Sequence, residues 1–238
     1  AGLPKLQDVA AALGRFRDGG KKIFAWGSEF DQRQYYLAAQ ADEVYLDPFG
    51  SVLVQGYGYF RPYLKGAVDK LGVEVNVFRA GNYKSATDTF TRADMSPEDR
   101  EEAGVWLAAL WEAWKADVAR ARDLEPEALQ DYADRAAEDL VEVGGDLAQY
   151  ALNRGLVDGL LTEEQFAERV AEVAGSDPDT HSFRAMDWSS YLTVLRSEQA
   201  LQAGSAQNVA VAVAAGEMLD GEQAPGIVGG DSFAALLR

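Results

Sequence analysis

The chain has 238 residues, 47% of them hydrophobic and 26% charged, a make-up that supports a sizeable globular core. A formal charge of −17 opposes any phosphate backbone and excludes nucleic acid as a partner, while the lack of cysteine removes disulfides, thiolate nucleophiles and cysteine-bound metals. No stretch reaches the roughly 18 apolar residues of a membrane-spanning helix, and the N-terminus lacks the basic, apolar and small-residue order of a leader, so this chain is not expected to enter a membrane.

Residues 4–17 place Leu6, Val9, Leu13 and Phe16 three or four apart, one face of a helix. "DGGKK" ends it and "IFAWG" follows as a short buried strand. Next come a helix in "DQRQYYLAAQA", a strand in "EVYLD" closed by Pro48, an extended piece in "SVLVQGYG", a helix in "RPYLKGAVDKLG" and a strand in "VEVNVFRA". Strands alternating with helices at this pace imply an α/β layer with crossover connections.

From Ser96 the character changes. Ser96 stands at a cap position, Pro97 at the first helical position and acids fill the first turn, which predicts a helix that runs on to about residue 124. Trp106 or Leu107, then Leu110, Trp114 and Val118 continue it at helical spacing, and its tryptophans read as core or interface anchors. Further helices are expected in "PEALQDYADRAA", "GGDLAQYALNRG" and "TEEQFAERVAEVAG". A looser stretch runs to Gly204. After it, "NVAVAVAAG" reads as a buried strand, and "GGDSFAALLR" as a glycine turn in which Asp231 or Ser232 caps a helix. A strand and the start of a helix leave apolar faces uncovered, so the chain is expected to be part of a longer one.

The single histidine, His181, follows a polar, turn-rich stretch and reads as an exposed loop or strand-edge residue. Any Ser-His-Asp triad would have to use it, so neither a histidine-based hydrolase nor a zinc enzyme is expected, and no metal site is assigned.

Four segments, "AWGSEFDQRQYYLAAQADEVYLDPFGSVLVQGYG", "KLGVEVNVFRAGNYKSATDTFTRADMSPEDRE", "GGDLAQYALNRGLVDGL" and "AGEMLDGEQAPGIVGGDS", resemble in order and spacing the long, tandem-domain form of the bacterial signal peptide peptidase A family. The likeness covers nearly the whole chain, and "GNYKSA" followed by "RADMSPEDRE" is its most specific part. It implies a crotonase-like (ClpP-like) α/β fold of repeated strand and helix units: a first domain over 1–95, a helical segment and linker over 96–204, and the first strand and helix start of a second, truncated domain over 205–238. It also implies a serine endopeptidase that degrades cleaved signal peptides or other apolar peptides. Such an enzyme works with a Ser/Lys dyad and no cofactor, as a homo-oligomer, expected to be a tetramer. Its place is the periplasmic face of the bacterial inner membrane, through an anchor that this chain lacks.

The family's lysine falls on Lys84. Its serine would stand at Gln32, before two glycines that are here Arg33 and Gln34, while Tyr35, Tyr36 and Pro48 keep the surrounding frame. A glutamine amide is no nucleophile. This domain is therefore expected to have kept the base and lost the nucleophile, the serine coming from the second repeat and the present chain being inactive alone. Ser28 lies four residues from the degenerate position, and Ser85 adjoins the lysine and diverges from it along the backbone; neither replaces the serine. A lysine that acts as general base must be neutral part of the time, which requires a site that penalises the ammonium form by about 3 to 5 kcal/mol. "VEVNVF" and Tyr83 are expected to supply apolar cover, and Arg79 to add positive charge. No substrate-binding residue is assigned. Two other readings remain open: an acyl-CoA-handling enzyme on the same fold, and a non-catalytic assembly domain in which Lys84 forms an ion pair.

Overall fold

In the computed structural model, which describes residues 2–81, 83–180, 182–202, 213–224 and 226–237, the first apolar runs become one parallel sheet. Strand β1 (Phe24–Gly27) pairs with β2 (Glu43–Leu46), Phe24 opposite Glu43 and Gly27 opposite Leu46. A third, two-residue strand, β3 (Gly159–Leu160), lies on the other side of β2, with Tyr45 opposite Gly159. Sequence reading does not find β3, because two residues inside "GLVDGLL" carry no period. It is set by Asp158, whose N–H donates to the Val44 carbonyl at 2.7 Å and whose carboxylate accepts the Val44 N–H at 2.7 Å.

Helix α1 (Leu3–Asp18) precedes the sheet, and α2 (Gln32–Ala38) forms the crossover from β1 to β2. Asp31 caps α2: its carboxylate accepts the Arg33 and Gln34 amides, both at 2.8 Å, and the Gln34 side chain answers the Asp31 N–H. The expected helix therefore starts one residue after Asp31.

Helix α5 (Pro97–Arg122) begins as its sequence predicts, with the Ser96 hydroxyl accepting the Asp99 amide. It lays Trp114, Val118 and Ala119 into the core against Tyr35 and Tyr36 of α2, all five buried. The tyrosine hydroxyls find partners, as burial requires. Tyr35 donates to the Leu156 carbonyl at 2.7 Å and Tyr36 to Asp117 at 2.8 Å. Burial pushes both phenols up, and Asp117 adds to this at Tyr36. Trp111 stacks on Trp114 at 5.2 Å, whereas Trp106 meets Tyr59 edge-on and is partly exposed. Helices α6 (Pro126–Asp134), α7 (Ala136–Glu142) and α8 (Leu147–Asn153) continue the layer, with Tyr132 stacked on Tyr150. Helix α9 (Glu163–Ala174) opens on a Thr162 capping box and leads to a hairpin of β4 (Ser176–Asp177) and β5 (Ser182–Phe183).

The run 73–80 departs from expectation. Its apolar alternation is real, but among the described residues it joins no sheet and residues 74–80 make no backbone–backbone hydrogen bond. It is chain without regular secondary structure between α3 (Lys65–Leu71) and α4 (Asp88–Thr91). "SVLVQGYG" likewise contributes one bridge, Val52 to Phe30. Alternation selects an extended backbone; pairing needs a partner strand, which periodicity does not provide.

Contacts group residues 1–184 in one unit and 185–238 in a second. The second holds α10 (Trp188–Gln202), β6 (Glu217–Leu219) paired in parallel with β7 (Ile227–Gly229), and α11 (Gly230–Leu236). Helix α10 falls in the stretch read as loose. Its start is marked by Asp187, which accepts the Ser189 and Ser190 amides; bonds from Ser189 and Ser190 hold this carboxyl well below its usual range. Most of the expected strand "NVAVAVAAG" lies outside the described residues. Neither Asp231 nor Ser232 caps α11; the cap residue is Gly229, and the Ser232 hydroxyl instead accepts the Gln223 N–H at 2.8 Å.

Candidate functional site

Gln32 is the first residue of α2, and both its ends are held. Its backbone carbonyl accepts the Trp114 indole N–H at 3.2 Å. Its side-chain oxygen accepts two successive backbone amides, Gln55 at 3.0 Å and Gly56 at 2.7 Å. Gly56 has φ +73°, in the left-handed region that a residue with a side chain rarely adopts, and this bend turns neighbouring N–H groups toward one point. The position thus presents a carboxamide, half-buried, whose oxygen is already in use.

Lys84 lies in the segment that joins run 73–80 to α4, and it is exposed. Among the described residues, the apolar cover expected from its surroundings is missing. Phe78 is 98% exposed, and Tyr83 is exposed too, donating its hydroxyl to Glu101 at 3.2 Å, a contact that raises the phenol. The cause is the unpaired run itself: with no sheet to pin it, its side chains are not folded over the turn.

Arg79 is committed elsewhere than expected. Its guanidinium donates to the Lys84 carbonyl at 3.4 Å and to the Asp88 carboxylate at 3.1 Å. Asp88 is 2% exposed and offsets the charge that Arg79 would have lent to Lys84, while its second oxygen is buried without a hydrogen-bond partner among the described residues. The result is a clamp, with Arg79 and Asp88 gripping the two sides of the turn. Sequence reading passes over Asp88 because it looks only three residues either way from Lys84; the nine-residue spacing of opposite charges across a glycine turn is the signal that would have found it.

The hydrogen bonds of the described residues tie Gln32 to 55–56 and α5, and Lys84 to Arg79; none joins the two positions. Ser28 is exposed and Ser85 half-buried, and His181 lies outside the described residues. A groove of about 490 Å³ between α3, the run after it and α4 is lined by Lys65, Asp69, Glu74, Val68, Val75 and Phe90. A larger one, about 630 Å³, lies between α9 and the β4–β5 hairpin and is rimmed by acids, among them Glu163 and Asp177. Among the described residues no group of three or more His, Asp or Glu side chains is placed to hold a metal ion, and no helix is long and apolar enough to cross a membrane.

Comparison with known proteins agrees with the sequence resemblance. The model of "Peptidase family S49" matches residues 15–177, a span that contains both Gln32 and Lys84. The chain is 37% identical over 235 residues to "Protease 4" of Salmonella typhi, covering 99% of this chain and 37% of that protein. It is 33% identical over 239 residues to "Protease 4" of Haemophilus influenzae, covering 38% of that protein. Against "Serine protease SPPA, chloroplastic" of Arabidopsis thaliana the identity is 23% over 206 residues, 29% of that protein. The chain therefore spans less than two-fifths of the length of each of these relatives.

Proposed function

Because the chain belongs to peptidase family S49, we propose that it is the base-donating portion of a signal peptide peptidase of crotonase-like fold, with Lys84 as general base and a serine from a second repeat as nucleophile. In that reaction the serine Oγ gives its proton to neutral Lys84 Nζ and attacks the carbonyl carbon of a peptide bond. The ammonium so formed then returns the proton to the leaving amine, and water repeats the cycle on the acyl-serine. The substrates on this reading are cleaved signal peptides or other apolar peptides, met at the periplasmic face of the inner membrane.

The observation that carries the reading is the state of the two positions. Lys84 stands on a turn clamped by Arg79 and Asp88, with its side chain open to a partner, whereas position 32 holds a carboxamide that cannot attack a carbonyl. Phe49, Phe60 and Phe78, each almost fully exposed, are the apolar groups that assembly with further copies would cover on this reading. Acyl-CoA chemistry gains no support from the family match.

The test is made in the full-length protein. Lys84→Ala is expected to lower turnover of an apolar fluorogenic peptide at least about 100-fold, the usual scale for loss of a general base. Lys84→Arg should fail equally, since a guanidinium stays protonated. Full activity in either variant, with an unchanged melting curve, overturns the assignment.

A further inference from the structure

The Gln55 and Gly56 amides form a cradle that the chain itself fills. Two successive N–H groups converge on one oxygen, at 3.0 and 2.7 Å, and that oxygen belongs to a side chain 23 and 24 residues away. A pair of converging amides is an acceptor-oxygen site of the kind that binds anions, because the two donors add at a single point and the left-handed Gly56 fixes their angle. Gln55 is exposed and Gly56 half-buried, so solvent and small solutes can reach the pair once its occupant is removed. The occupant is a neutral carbonyl. A carboxylate in the same place would make charge-assisted bonds, roughly twice as strong.

We infer that the Gln55–Gly56 amide pair is a carboxylate-binding cradle, and that Gln32 is its built-in plug. The plug is firmly seated: the capping box at Asp31 fixes the start of α2, and Trp114 holds the Gln32 carbonyl, so the side chain swings from an anchored backbone. Filled in this way, the first repeat does not compete for free carboxylates or peptide C-termini. The inference goes beyond the role given to Lys84 and stands or falls whatever the activity of the Lys84 variants.

The test follows the Gln55 and Gly56 amide signals of the 15N-labelled chain as sodium acetate is added, with N-methylacetamide as the neutral-carbonyl control. In the unsubstituted chain neither solute should move these two signals saturably. In Gln32→Ala both should move downfield and saturate with acetate, and not with N-methylacetamide. Gln32→Glu, which keeps the length of the plug and adds a charge, should move both amides downfield without any solute and abolish the response to acetate. It also keeps the test decisive if Gln32→Ala fails to fold. Saturable acetate shifts in the unsubstituted chain would show that Gln32 does not close the site. No response in a folded Gln32→Ala, an equal response to N-methylacetamide, or unmoved amides in Gln32→Glu would show that no carboxylate cradle exists.

Discussion

Removing the guanidinium of Arg79 should unmask the most exposed weakness in the lysine turn. In Arg79→Met the Asp88 carboxylate, 2% exposed, loses the donor on one oxygen, while the other is already buried without a partner among the described residues. Breaking a buried ion pair from one side costs about 3 to 5 kcal/mol. Arg79 itself is 45% exposed, so solvent screens the pair and the expected loss is nearer about 1 to 3 kcal/mol. For a chain of this length that lowers the melting temperature by roughly 2 to 12 °C. Asp88→Asn should cost less, because the half-exposed guanidinium it releases can turn to water, whereas the carboxylate cannot. The double variant Arg79→Met, Asp88→Asn should therefore be more stable than Arg79→Met alone. Thermal or urea unfolding of the three variants measures this cycle. If Asp88→Asn is the costlier single change, or the double variant is as unstable as the two losses added, the pair is not a clamp on a buried carboxylate.

Two further perturbations test the frame around the site. Glu43 receives bonds from Arg169, Lys22 and Tyr45; burial alone would raise its carboxyl, but these donors hold it at about 2, against 4.5 for the free group. The stability it contributes is present above about 4.5 and lost as pH falls toward 2, so the melting-temperature gap between the unsubstituted chain and Glu43→Gln should close over that window; a gap independent of pH would refute it. Gly50 has no room for a side chain: a Cβ would collide with the Ser28 carbonyl and lie 2.8 Å from Leu46 Cδ1 and 2.9 Å from the Asp47 carbonyl. Gly50→Ala should cost about 1 to 3 kcal/mol in urea unfolding, and an unchanged midpoint would mean the turn after β2 is freer than its packing implies.

Much of the fold was legible because helices announce themselves locally. Asp31 before Gln34, Ser96 before Pro97 and Thr162 before Gln165 are each complete within a few residues, and each caps the helix expected there. Strands are a different matter. Glu43–Leu46 reads as a strand and is one, but its neighbour at 159–160 is found only through Asp158, more than a hundred residues on. Residues 73–80 read as a strand equally well and have no partner among the described residues. The resemblance picks out positions 32 and 84. Their surroundings are set by Gln55, Gly56 and Trp114 at one and Asp88 at the other, contacts that only a folded backbone assembles.

On the reading proposed for Lys84, its exposure bears directly on how a lysine base would be made. Neutralising an ammonium near neutral pH takes about 3 to 5 kcal/mol of destabilisation, supplied by desolvation or by a nearby cation. The nearby cation, Arg79, is offset by Asp88, so on the proposed reading the penalty must come from desolvation, and Lys84 is in water in this chain. The surface that covers the turn must then do two things at once, bring the serine and exclude the solvent. Phe78, almost fully exposed, is an apolar group in the run before Lys84 that such a surface could cover. On that reading, covering the turn and delivering the nucleophile become one event.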